Sequence, residues 1–205
     1  MIHIIDYNCG NIASIVNMLK KAGADSTVVI DPKDLSGAKK IILPGVGAFD
    51  HGAKNLAMKG FDVAIRKKVL GENTPILGIC LGMQLLTNGS EEGQLPGLGL
   101  IDATVNRFKF SDSSIKVPHM GWQKVTYRTN SKIADYCGEL DRYYFVHSYY
   151  VECRFDKNIF IETNYETQRF VAGIFDNHIY GVQFHPEKSG SAGSNLLGKV
   201  LRREH

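Results

Sequence analysis

Cys80 is the residue of this chain best placed to act as a nucleophile. It ends the apolar run Pro75-Ile76-Leu77-Gly78-Ile79 and opens a helix-like segment, Leu81-Gly82-Met83-Gln84. This pattern predicts a sharp turn from strand to helix with a thiol at its apex. Gly78 and Gly82 remove the Cβ atoms that would clash in such a turn. Backbone N–H groups and the positive end of a helix favour thiolate over thiol there. A nucleophilic thiol needs a base, and the base needs an orienting group. Gln183-Phe184-His185-Pro186-Glu187 supplies both. Read as an extended segment, it places His185 and Glu187 on one face with Pro186 turned away. The carboxylate then takes one imidazole nitrogen and leaves the other for the thiol. An acyl-transfer site also needs donors for an oxyanion. The glycine loop Pro44-Gly45-Val46-Gly47 offers backbone N–H groups at Val46 and Gly47, to be joined by that of Leu81. Losing one such donor typically costs about 3 kcal/mol of barrier. Glycines let a peptide in this loop rotate, so the hole is expected to be incomplete until something orders it.

These three segments must be brought together by their elements. The first half alternates strand and helix signals: Ile2–Asp6, a helix over Ile12–Lys21 closed by Gly23, then strands at Thr27–Ile30 and Lys40–Leu43. A helix over Asn55–Leu70 and a strand ending at Ile79 follow. That alternation predicts an α/β fold with a mostly parallel central sheet flanked by helices. From about Gly99 to Gln183 the pattern changes to short β-branched and aromatic runs, Tyr143–Val151, Ile159–Thr163, Phe170–Phe175 and Ile179–Phe184, which predict an added antiparallel β layer. A closing helix is expected over Ser194–Arg203. No linker, repeat or low-complexity tract interrupts the pattern, so residues 1–205 are expected to form a single domain.

The chain has 205 residues and a net charge of +3, with no Lys/Arg cluster of the kind that binds nucleic acid or a membrane surface. It shows no signal-peptide pattern and no apolar run of membrane-spanning length. Cys9, Cys80, Cys137 and Cys153 have neither paired nor zinc-like spacing, which points to a reduced, cytoplasmic setting without a metal. Cys9, Cys137 and Cys153 are expected to be small buried apolar groups. His3, His51, His178 and His205 have no companion pattern. His119 and His147 suit packing as well as function. Gly97-Leu98-Gly99 is no dinucleotide fingerprint, and no phosphate-loop lysine motif occurs, so no cofactor is expected.

Taken in order, Pro44-Gly45-Val46-Gly47, Gly78 to Gln84 and His185-Pro186-Glu187 resemble the class I (triad-type) glutamine amidotransferases over nearly the whole chain. The resemblance implies hydrolysis of L-glutamine to glutamate and ammonia, with Cys80, His185 and Glu187 as the triad. It also implies that Gly45, Gln84 and Glu92 bind glutamine, Glu92 through the amino group. Ser148 and Tyr149 would supply backbone donors for the carboxylate. Finer features resemble the glutaminase subunits of imidazole glycerol phosphate synthases. They are Asp6 to Asn11, Leu43 to Phe49, Lys116 to Trp122 and Phe184 to Ser189. This implies a separate cyclase subunit, a (β/α)₈ barrel, forming a heterodimer and receiving ammonia through a channel. Asn11, Met120, Trp122 and Lys188 are the expected interface residues. One departure is Gln123, where this family usually has Asn after Gly-Trp. Two alternatives stay open: a paralogue supplying ammonia to a sugar amidotransferase of surface-polysaccharide synthesis, and a stand-alone cysteine hydrolase or redox-sensing thiol protein.

Overall fold

The computed structural model describes residues 1–128 and 142–202, with side chains as far as residue 198. Cys137, Arg203 and His205 lie outside the described residues. Four parallel strands form one half of the large sheet: β1 (Ile2–Ile5), β2 (Ser26–Val29), β3 (Lys40–Leu43) and β4 (Ile76–Ile79), in the order β2-β1-β3-β4. All four residues of β1 and of β4 are buried. Ile41 and Leu43 enter one apolar cluster and Ile42 the other. That is the signature of a strand covered on both faces, as a period of two requires.

Helix α1 (Ile12–Lys21) covers one face with Ile15 and Leu19. Gly23, with φ +70°, turns the chain out of it and donates its N–H to the Lys20 carbonyl. The other face carries α2 (Phe49–Lys59) and α3 (Phe61–Arg66). The single helix expected over 55–70 is thus two. It breaks at Gly60, which adopts φ +75°, and ends in a π-type turn over Lys67–Gly71. Apolar periodicity runs through such a break because both pieces bury the same face, with Leu56, Phe61 and Ile65 inside.

The short helix α4 (Leu81–Leu85) follows β4 directly. Next come β5 (Gly89–Ser90), β6 (Ala103–Arg107), β7 (His119–Lys124), β8 (Thr126–Tyr127), β9 (Arg142–His147) and β10 (Tyr149–Cys153). The apolar run over 143–151 is therefore two strands parted at Ser148. β9 pairs with β7 in a separate two-stranded sheet, whereas β10 joins the large one. The long hairpin β11 (Ile159–Tyr165) and β12 (Gln168–Asp176) leads to β13 (Ile179–Val182). β13 is antiparallel to β12 and parallel to β4, so it joins the two halves of the sheet. Helix α5 (Gly190–Arg202) closes the described chain. Among the described residues no helix is long and apolar enough to cross a membrane.

Candidate active site

Three adjacent parallel strands, β3, β4 and β13, end at one edge of the sheet and deliver the three chemical segments. Cys80 follows β4 directly, and its N–H donates to the Val182 carbonyl at the end of β13 (2.8 Å). Its backbone stands at φ +55°, ψ −112°, a conformation costly for any residue with a Cβ. Close packing enforces it. A Cβ on Gly78 would come within 2.7 Å of the Gly82 carbonyl and the Met83 nitrogen, and one on Gly82 would overlap the Leu43 carbonyl oxygen. Gly45 is equally confined, with Gly82 N at 2.6 Å and the Tyr7 hydroxyl at 2.8 Å from its missing Cβ. Tyr7, fully buried, donates its hydroxyl proton to the Pro44 carbonyl (2.8 Å). Gly47, by contrast, sits at φ +103° with open space around it. The loop is thus clamped at its start and unconfined at its tip.

His185 and Glu187 do meet, but the local structure differs from the expected extended segment. Pro186–Lys188 form a 3₁₀ turn behind His185, and His185 Nδ1 lies 2.8 Å from Glu187 Oε1 with both side chains 2% exposed. A tight turn brings residues i and i+2 together here as alternation would. His185 N–H donates to the Tyr144 carbonyl, and the Ser189 hydroxyl donates to the His185 carbonyl, so the turn is tied to β9. Burial alone would push the His185 ring down. The adjacent Cys80 sulfur and the Glu187 carboxylate outweigh it and raise the ring to about 10. His185 Nε2 is buried without a hydrogen-bond partner among the described residues. The sulfur is near enough for the ring to feel it, yet the pair does not meet hydrogen-bond geometry. An imidazole held by a carboxylate beside a buried thiol is equipped to take and return a proton.

A cleft of about 300 Å³ opens on this edge. Cys80, His185, Val46, Gly47, Leu81, Gln84, Glu92, Ser148, Tyr149 and Lys188 all line it. Leu81 is the first residue of α4, where a helix N–H has no intrahelical acceptor. Gln84 is buried, and its Nε2 spans to the Tyr149 carbonyl (3.3 Å) and to Gln183 Oε1 (3.1 Å). Glu92 accepts from the Phe49 N–H (2.8 Å), so it also caps α2. Its loop is pinned beside it, because the Asp50 carboxylate takes the N–H groups of Gln94 and Leu95. Glu187, behind His185, and Gly45, packed at the clamped start of the loop, do not line the cleft. Met120 and Trp122 lie outside the cleft on β7, 62% and 48% exposed. Trp122 meets Tyr144 edge-on, and the Lys188 ammonium lies 5.7 Å from the same ring, so these residues form one strip leading from the cleft mouth. Asn11 is exposed at the start of α1, where its side chain makes no cap.

The sequence did not single out Gln183 or assign His147 a role. Gln183 is fully buried with its Nε2 3.7 Å from Cys80 Sγ. An amide between Val182 and Phe184 in an apolar strand was the available signal. His147 lines the cleft and donates through Nδ1 to the Tyr149 carbonyl (2.7 Å), with its Nε2 3.1 Å from His119 Nδ1. Burial holds both rings neutral, His147 down at about 3 and His119 at about 4. Cys9 is buried as expected, whereas Cys153 is only half-buried at the end of β10; desolvation still pushes its thiol up to about 12. Among the described residues no cluster of three or more His, Cys, Asp or Glu is arranged to hold a metal.

The sequence profile of the family described as "Glutamine amidotransferase class-I" matches residues 3–202. The chain belongs to this family. It is 50% identical over 203 residues to the imidazole glycerol phosphate synthase subunit HisH 2 of Methanococcus maripaludis, covering 99% of this chain and 100% of that one. It is 44% identical over 197 residues to the HisH 2 subunit of Pseudomonas aeruginosa, covering 96% of each. Among solved structures, a crystal structure of a glutamine amidotransferase aligns with TM-score 0.73 at 18% identity, over 97% of this chain and 96% of that one. PurLQS from Thermotoga maritima aligns with TM-score 0.73 at 19% identity, over 98% and 96%. This glutamine amidotransferase accordingly shares its α/β fold, mostly parallel sheet and small antiparallel sheet with those structures.

Proposed function

We propose that this amidotransferase is the glutaminase subunit of an imidazole glycerol phosphate synthase, acting in histidine biosynthesis in the cytoplasm. The observation that carries the chemistry is the meeting of Cys80, His185 and Glu187 at one sheet edge, in a cleft large enough for an amino acid. Cys80 Sγ attacks the side-chain amide carbon of L-glutamine while His185 Nε2 takes the thiol proton. The oxyanion is met by the N–H groups of the loop Val46-Gly47 and of Leu81. His185 returns the proton to the leaving ammonia, and a glutamyl thioester remains on Cys80. Water, deprotonated by His185, then releases glutamate and restores the thiol. Glu187 holds the ring through Nδ1–H and stabilises its charged form. Glu92 and the Ser148-Tyr149 backbone are suited to the two ends of the amino-acid moiety. Ammonia passes to the cyclase subunit, a (β/α)₈ barrel in a heterodimer, docked on the strip of Met120, Trp122 and Lys188 and on Asn11. The unconfined tip at Gly47 supports a hole that the partner completes.

The test is acid quenching of the chain with L-glutamine and its cyclase partner. A glutamyl adduct should appear on Cys80 and on no other cysteine. An adduct elsewhere, or turnover by Cys80→Ala, overturns the triad. Gln123 departs from the Asn usual in these subunits, and the second reading gives the ammonia to a sugar amidotransferase instead. Rescue of a histidine auxotroph lacking its own subunit decides for the cyclase, and failure to rescue decides against it.

A further inference from the structure

We infer that Gln183 is a further catalytic residue, an N–H donor to the Cys80 sulfur, whose amide is fixed in that orientation by Gln84. This rests on Cys80 being the nucleophile. The orientation follows from which groups donate and which accept. The Tyr149 carbonyl only accepts, so the Gln84 atom at 3.3 Å from it must be the amide nitrogen. That nitrogen has a second N–H, directed 3.1 Å to Gln183, so the Gln183 atom facing it is the carbonyl oxygen. Gln183 then has its nitrogen left for the sulfur at 3.7 Å. Both side chains are buried, at 5% and 0% exposed, in a place where a swapped amide would set oxygen against oxygen or nitrogen against nitrogen with no water to relieve it. An N–H aimed at sulfur stabilises thiolate over thiol. It also holds Sγ in place while the imidazole gains or loses its proton. The chain from Tyr149 through Gln84 and Gln183 further ties the strand break at Ser148, a wall of the cleft, to the nucleophile.

The titratable groups around Cys80 stay the same when Gln183 is changed. His185 and Tyr7 are near enough to interact electrostatically with the sulfur, Glu187 and His147 adjoin His185, and Glu92 and Lys188 border the cleft. A change in the pH dependence of Cys80 can therefore be assigned to the lost donor. The experiment is alkylation of the full chain by iodoacetamide from pH 5 to 10, with modification of Cys80 followed by peptide mass spectrometry. Gln183→Met keeps the volume and removes the donor. It should move the Cys80 midpoint up by about one pH unit, a tenfold loss of thiolate over thiol. Gln183→Asn withdraws the amide by one methylene and should move it in the same direction by less. Wild-type midpoints in both variants, with folding confirmed by circular dichroism, overturn the role of Gln183. If the methionine variant does not fold, the asparagine variant decides alone. A glutamine-like diazoketone that labels a cysteine other than Cys80 in the wild-type complex overturns the nucleophile assignment itself. That outcome is distinct from unchanged midpoints.

Discussion

With Cys80 as the proposed nucleophile, removing its sulfur should remove glutamine hydrolysis and nothing else. Cys80→Ala is expected to lower glutaminase activity by about 10⁴-fold or more, while the complex still works with added ammonia. Loss of ammonia-dependent activity as well would contradict the division of labour between two subunits. Glu187→Gln should be milder, a fall of about 10²-fold in kcat, because the neutral amide of the same length still offers an oxygen to orient the ring. Measuring kcat and KM for both variants with saturating partner separates the two. The sequence carried this pair of residues plainly, since Glu187 is two positions from His185. The route to their meeting was not legible. A 3₁₀ turn and an extended strand both place i and i+2 within reach, and Pro186 suits either.

At the scale of elements, two glycines of the site should respond differently. Gly82→Ala forces a Cβ into the Leu43 backbone, which belongs to a buried strand that cannot give way. We expect about 3 kcal/mol or more of lost stability in urea unfolding, with activity lost as a consequence. Gly47→Ala meets no neighbour but must hold φ +103°. Its stability should fall by only about 1 kcal/mol, while kcat drops with KM little changed, because the loop no longer turns freely. Equal losses of stability in the two variants would show that the tip of the loop is packed after all. Glycine punctuation in the sequence pointed to both positions. It did not separate the glycine that is crowded by neighbours from the one that is conformationally free. That difference depends on β3 lying against α4, a contact between residues 39 positions apart.

The whole molecule should have its stability maximum near pH 7, for reasons of opposite sign. His119 and His147 are buried neutral, with folded values of about 4 and 3 against 6.5. The unfolded chain binds those protons first, so stability falls as pH drops below 6.5. At pH 5 the loss is about 2 kcal/mol for each ring. His185 is raised to about 10. Its contribution is complete below 6.5 and is lost as pH rises from there through about 10. Urea midpoints from pH 4.5 to 10 should therefore trace a dome. In Cys80→Ala the alkaline side should flatten, because His185 loses one of the two groups that raise it. A curve that keeps rising above pH 8 would refute the assignment for His185. The exposed strip on β7 makes a prediction at the same scale. Trp122→Ala should weaken partner binding by about 30-fold or more by calorimetry, as loss of a half-exposed aromatic anchor does, without changing the urea midpoint of the free chain.

The residue types and their order were enough to name the α/β class, to point to the glycine loop and to propose a nucleophile and its base. Those depend on chemistry and local backbone rules that a linear text retains. The strand break at Ser148, the helix break at Gly60, the capping of α2 by Glu92, and the amide chain from Tyr149 to Cys80 appeared only in three dimensions. The cap and the amide chain join groups far apart in the chain through single hydrogen bonds at each link. Such partners are selected by how β3, β4 and β13 align at their ends, and no pattern within any single segment encodes that alignment.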